Sequence, residues 1–157
     1  MKWRRLHEGI INEPIVEYLE KLIEKGIADG KTLRVCVGTD SQRHGSGYKY
    51  ATAIVLVTEG AGGIIILSSE FIKGKITVNE RMLKEVEKSI GVAYEIYSLL
   101  DLYDIKLEIH ADINTNPMHE SNKALKMAVG YIQGMGYEFK VKPDAFASSN
   151  CCDRFCK

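Results

Sequence analysis

The run Leu33-Arg34-Val35-Cys36-Val37-Gly38-Thr39 constrains this chain most, because it is apolar at both parities. A strand alternates its side chains between two faces, so a run apolar on both must be covered on both. That predicts a central strand with helices above and below the sheet. The run ends on Asp40. A second strand, Ile105-Lys106-Leu107-Glu108-Ile109-His110-Ala111, alternates and ends on Asp112.

Around these two strands the pattern predicts a helix, three strands, a helix, a strand, a helix, a strand and a short helix. Asn12-Glu13-Pro14 reads as the start of the first helix, with Asn as the cap and Pro in the first turn. Gly26 or Gly30 ends it. Ser41 to Gly47 reads as a polar, glycine-rich loop, followed by strands over 48–58 and 63–72. Short links make these three strands an antiparallel meander. Thr77 with Glu80 offers a capping box for a long helix. Its apolar stripe holds Met82, Leu83, Val86, Ile90, Ala93, Tyr94, Tyr97 and Leu100. A helix over about 118–133, a strand over 137–141 and a short helix somewhere in 147–157 complete the chain. A right-handed crossover after the third strand lays the 105–111 strand parallel to the central one. Asp40 and Asp112 then reach the same edge of the sheet.

One domain spanning 1–157 is expected, with a core over about 33–157 and a helical extension over about 1–31. A chain of this length buries roughly 70% of its unfolded surface. Lys and Arg number 21, and so do Asp and Glu, so no global basic field marks a non-specific nucleic-acid binder. The apolar runs are too short to span a membrane, no signal-peptide pattern opens the chain, and four cysteines with Cys151 and Cys152 adjacent do not form a secreted framework. The expectation is a cytoplasmic protein with reduced thiols. Cys151, Cys152 and Cys156 read as buried and inert rather than as zinc ligands.

Ligand sites of α/β sheets gather beyond the carboxyl ends of strands. Two carboxylates delivered there repel unless a cation sits between them, and oxygen-only ligands favour Mg²⁺ or Mn²⁺. His110 precedes Asp112 on the same strand face and reads mainly as packing; His44 is a weaker candidate for meeting a leaving group. Arg43, Lys73, Lys75, Arg154 and Lys157 are candidates for a basic rim, and Tyr48, Tyr50, Phe146 and Phe155 for stacking on bases.

Val-Gly-Thr-Asp-Ser-Gln at 37–42, His-Ala-Asp-Ile-Asn at 110–114 and Lys-Pro-Asp-Ala-Phe-Ala-Ser-Ser-Asn-Cys-Cys-Asp-Arg at 142–154 resemble the ribonuclease H-like superfamily, and within it the YkuK-type group. The likeness covers about residues 33–157. It implies a mixed five-stranded sheet in the order 3-2-1-4-5, with an extra N-terminal helix lying outside the superfamily core. It also implies a two-metal nuclease site using Mg²⁺ or Mn²⁺ on nucleic acid, whether RNA, an RNA/DNA hybrid or structured DNA. Asp40 would bridge both ions and Asp112 would bind one. The helix acid is Glu85, Glu80 or Glu87: the capping box consumes Glu80, Glu85 and Glu87 border opposite edges of the stripe, and Glu85 best matches the family's position. Glu95 points away. The last acid is Asp153 or Asp144, with Asp153 favoured as ligand and Asp144 as a residue behind the ligands or on the substrate side. Two other readings compete: a catalytically silent module that binds nucleic acid or protein, and, last, an actin-like phosphotransferase, for which the chain is too short.

Overall fold

The computed structural model describes residues 1–113 and 121–156, without the side chains of 121–125, 153 and 154. Its central strand is the one required by the two-faced apolar run. This strand, β3 (Leu33–His44), pairs antiparallel with β4 (Gly47–Thr58), which pairs antiparallel with β5 (Gly62–Lys73). On its other side β3 runs parallel to β6 (Lys106–Ala111), and β6 runs parallel to β7 (Glu138–Lys140). These five strands stand in the order expected from the resemblance.

The sheet nevertheless has seven strands, ordered β2-β1-β5-β4-β3-β6-β7. The N-terminal extension is not helical throughout: β1 (Trp3–Arg5) adds to the edge of β5, and β2 (Gly9–Ile10) adds to β1. Main-chain pairing extends the edge, and Trp3 anchors it in the core. Among the described residues no helix is long and apolar enough to cross a membrane.

Helix α1 (Ile15–Ala28) is capped by Pro14 rather than Asn12, with no side-chain cap hydrogen bond. It buries Ile15, Leu19 and Ile23. Gly26 lies inside it, and Gly30, with φ +69°, follows its end. Helix α2 (Val78–Leu102) begins with the expected capping box: the Thr77 hydroxyl accepts from the Glu80 N–H at 3.2 Å, and the Thr77 N–H donates to the Glu80 carboxylate at 2.7 Å. That box occupies Glu80. Helix α3 (Ser121–Gly134) runs one residue beyond the expected end, and the expected start near Met118 lies outside the described residues.

The stripe on α2 is rotated from expectation. Met82, Val86, Ile90, Ala93 and Leu100 are buried, joined by Val92, Ile96 and Leu99. Leu83, Tyr94 and Tyr97 are exposed instead. The sheet covers one side of α2, whereas α3 covers only part of its flank. Leu83 and Tyr94 therefore line an open groove of about 600 Å³ with Met127, Tyr131 and Met135.

The second face of the sheet is closed by the C-terminal segment, a π-helical stretch (Ala147–Cys152) running into the short helix α4 (Asp153–Cys156). Gly38 makes this possible. A Cβ there would sit 2.5 Å from the Ser148 nitrogen and 2.9 Å from the Ala147 carbonyl carbon, both backbone. Gly38→Ala should destabilise the protein by about 3 kcal/mol, because backbone in a packed layer cannot step aside as a side chain can. Gly130→Ala, in open space on α3, should instead stabilise by up to about 1 kcal/mol. Urea denaturation of the two variants checks both values.

Candidate metal and nucleic-acid site

The polar stretch after Asp40 is strand, not loop. β3 and β4 pair all the way to His44 opposite Gly47, with Gly45, at φ +53°, opening a two-residue turn. Asp40 therefore lies within β3 rather than at its end. What ends there is the parallel ladder: β3 and β6 pair as far as Thr39 opposite Ala111. Asp40 and Asp112 are the residues that follow this last pair, Asp40 still within β3 and Asp112 just past the end of β6, so both leave the parallel ladder at the same end of the sheet.

Strand alternation then divides the labour. Thr39 and Ser41 share the parity of Val35 and Val37, which pack in the core with α1 and α2. Asp40 shares the parity of Cys36 and Gly38, on the side of the C-terminal segment. Across the first face, α2 presents Glu85, which is only 6% exposed. The Ser41 hydroxyl donates to Glu85 Oε1 at 2.5 Å, and Arg81 Nε stands 3.9 Å from the same oxygen. Arg81 also donates to the Ser41 carbonyl at 3.4 Å. Burial pushes the Glu85 carboxyl up to about 7, and the Asp40 charge adds to the shift, against the hydrogen bond from Ser41 and the Arg81 charge. Asp40 acts in the other direction too, raising the Cys152 and Cys156 thiols after burial has done so. Its charge is thus felt on both faces.

Asp112 is partly buried and pairs with Lys142 Nζ at 2.6 Å. Asp144 is exposed in the turn after β7, where its N–H donates to the Val141 carbonyl. Asp153 opens α4, and its side chain lies outside the described residues. Glu87 and Glu95 are exposed. Arg43, Lys73 and Lys75 are exposed as well, while Arg154 and Lys157 lie outside the described side chains. Arg81 stands beside Glu85 and Lys142 beside Asp112, two cations that the sequence pattern did not single out. Of the stacking candidates, Tyr50 is buried beside Glu85 and Phe146 packs edge-on to His110 at 4.8 Å.

A chemically different group stands behind β6. Ligand atoms of Cys36, Glu108 and His110 lie within 4.8 Å of one another, the one such trio among the described residues. Its members are already hydrogen-bonded to one another and to their surroundings. The Ala147 N–H donates to His110 Nδ1 at 3.2 Å, which puts the imidazole proton on Nε2, where it is donated to Glu108 Oε2 at 3.1 Å. Arg34 donates to the same oxygen at 2.9 Å. Burial raises the Glu108 carboxyl, but His110 and Arg34 outweigh it and hold the group below its ordinary value. Burial, with Glu108 adding, pushes the Cys36 thiol up to about 12. In this arrangement the thiol and Nε2 carry their protons, and Glu108 Oε2 is shared between His110 and Arg34.

The C-terminal cysteines act as donors. Cys152 Sγ donates to the Gly38 carbonyl at 3.3 Å and Cys156 Sγ to the Asp40 carbonyl at 3.1 Å. Four residues along a helix rise about 6 Å, which matches the roughly 6.6 Å between alternate strand residues. His44 Nε2 donates to the Cys156 carbonyl at 2.6 Å.

The oxygen-only set fits a hard divalent cation. Glu85 is a buried carboxyl whose ionisation the Asp40 charge further opposes, and a cation held beside it would relieve both effects. The sulfur- and nitrogen-bearing trio is already satisfied. The acids are therefore the candidate donor set for a divalent cation.

The family model described as ribonuclease H-like matches residues 15–157. The chain is 26% identical over 159 aligned residues to the uncharacterized protein YkuK of Bacillus subtilis (strain 168), covering 92% of this chain and 90% of that protein. Among solved structures, RNase H1 from the halophilic archaeon Halobacterium salinarum NRC-1 is 20% identical, over 73% of this chain and 89% of its own, with a TM-score of 0.41. The N-terminal RNase H domain of rv2228c from Mycobacterium tuberculosis is 13% identical, over 80% of this chain and 94% of its own, with a TM-score of 0.40.

Proposed function

This chain belongs to the ribonuclease H-like family, and we propose that it is a nuclease hydrolysing phosphodiester bonds of nucleic acid with two divalent ions, Mg²⁺ or Mn²⁺. One observation carries the reading: the parallel ladder stops one residue before both Asp40 and Asp112, while buried Glu85 reaches the same stretch of β3 through Ser41. Asp40, Glu85 and Asp112 would hold the ions, with Asp153 completing the set and Asp144 nearer the substrate. Bound there, divalent ions supply a lowered pKa for the attacking water and neutralise the charge that builds on the phosphate.

The chain's own groups prepare that cleft. Arg81 and Lys142 stand beside Glu85 and Asp112 and reduce the repulsion among the acids. The C-terminal segment ties down the Gly38 and Asp40 carbonyls, fixing the backbone that carries the central acid. The whole chain acts as one domain in this reading, with RNA, an RNA/DNA hybrid or structured DNA as substrate.

A second reading, a silent module that binds nucleic acid or protein, is favoured by one contact: a cation of the chain itself, Lys142 Nζ, already stands 2.6 Å from Asp112. Labelled hybrid, duplex, junction and single-strand substrates, each with Mg²⁺ and with Mn²⁺, separate the two. Metal-dependent cleavage of at least one substrate is expected. Retention of nucleic acid with every substrate left intact would favour the silent module.

A further inference from the structure

We propose that Ser41 is a positioning residue: it orients the Glu85 carboxylate toward the cation site and couples it to Asp40 through one peptide bond. The inference rests on the nuclease reading above. Glu85 sits on a helix 44 residues from Ser41, and a glutamate side chain with three rotatable bonds does not hold one direction unaided. Ser41 supplies the hold. Its hydroxyl donates to Oε1 at 2.5 Å, and its backbone N–H also favours the charged carboxylate. Ser41 is itself buried, and Arg81 clamps its carbonyl.

The setting is polar by construction. Tyr50, opposite Ser41 across the β3–β4 ladder, is 1% exposed, and Glu85 and Arg81 both act on its hydroxyl. One turn along α2, Ser89 bridges the Glu85 carbonyl and the Thr39 hydroxyl, and Thr39 pairs with Thr52. Those hydroxyls tie helix to sheet without touching the carboxylate. Ser41 alone among these serines and threonines bonds the carboxyl, and its neighbour in sequence is Asp40. A shift of β3 therefore moves both acids together.

The test is titration of the full-length protein with Mn²⁺ alone, followed calorimetrically, beside cleavage kinetics on whichever substrate the wild type cuts. Ser41→Ala should weaken Mn²⁺ binding about tenfold, the scale of one lost hydrogen bond to a charged group. It should lower kcat and leave the substrate KM unchanged. Ser41→Thr, which keeps the hydroxyl, should restore binding, and Ser41→Cys, a weaker donor, should fall between. Ser89→Ala is the control for general loosening: it should lower the melting temperature and leave Mn²⁺ affinity alone. Wild-type Mn²⁺ affinity in Ser41→Ala, or an equal loss in Ser89→Ala, overturns the positioning role while the nuclease reading stands. A wild-type protein that binds no Mn²⁺ overturns the nuclease reading itself, whatever Ser41 does.

Discussion

Asp40→Asn is expected to reduce metal-dependent cleavage by at least about a thousandfold, the scale seen when a charge shared by a catalytic unit is removed. The same substitution should leave the metal-free fold as stable as the wild type, or more stable. Asp40 opposes ionisation of Glu85, so removing its charge relieves that repulsion when no cation is present. Asn keeps the size, and the backbone carbonyl that accepts from Cys156 is untouched. Mn²⁺ at a hundred times its Kd should stabilise the wild type by about 2.7 kcal/mol and the variant by far less. Cleavage assays with paired thermal melts, with and without Mn²⁺, read all of this. Full activity in Asp40→Asn would transfer the weight to the silent-module reading.

Combining Asp40→Asn with Asp112→Asn should add little, since groups that act as a unit lose most of their effect with the first member. The two carboxylates lie on neighbouring strands where a single ladder stops. Their likeness of position, not the identity of either residue, is the reason to treat them together.

How far the sequence revealed this arrangement depended on whether a feature is local. The two-faced apolar run forced β3 into the middle, and the Thr77–Glu80 box marked the start of α2, because both depend on neighbours in sequence. The N-terminal strands were hidden: three and two residues are too few for alternation to register, and main-chain pairing with β5 makes them strands. Lone Trp3 was the available hint, since a buried tryptophan near a terminus needs something to pin it down. Residues 41–44 looked like loop because they are polar, yet β4 pairs with every one of them.

The same distinction runs through the site. A helical wheel put Glu85 and Glu87 at opposite edges of the stripe and the resemblance chose Glu85; of the two it is Glu85 that is buried. Ser41, Arg81 and Lys142 carried no such signal. Ser41 meets Glu85 from 44 residues away, and Lys142 reaches Asp112 from the loop after β7. The cysteines read as inert from their spacing, and burial does push the Cys156 thiol up to about 12. Their work as donors to the Gly38 and Asp40 carbonyls appears only once the C-terminal segment lies on the sheet.

Glu85→Gln should change how stability depends on pH between 5 and 8. The Glu85 carboxyl stands at about 7 in the folded protein against an ordinary 4.5. Between those values the native state keeps a proton that the unfolded chain has released. Stability from this group is therefore present below about pH 4.5 and lost as pH rises through 7, by about 3 kcal/mol. Glu108, held below its ordinary value, works the other way at lower pH, so the comparison is between wild type and variant at each pH. Without metal, Glu85→Gln should match the wild type near pH 5 and exceed it at pH 8, since Gln still accepts from Ser41 and carries no buried charge. With Mn²⁺ the order should reverse at pH 8, because only the ionised wild-type carboxylate holds the cation, and cleavage by the variant should be lost. Urea denaturation from pH 5 to 8, with and without Mn²⁺, gives the four curves. Parallel wild-type and variant curves without metal would show that Glu85 ionises normally, and that the cleft does not need a cation to charge it.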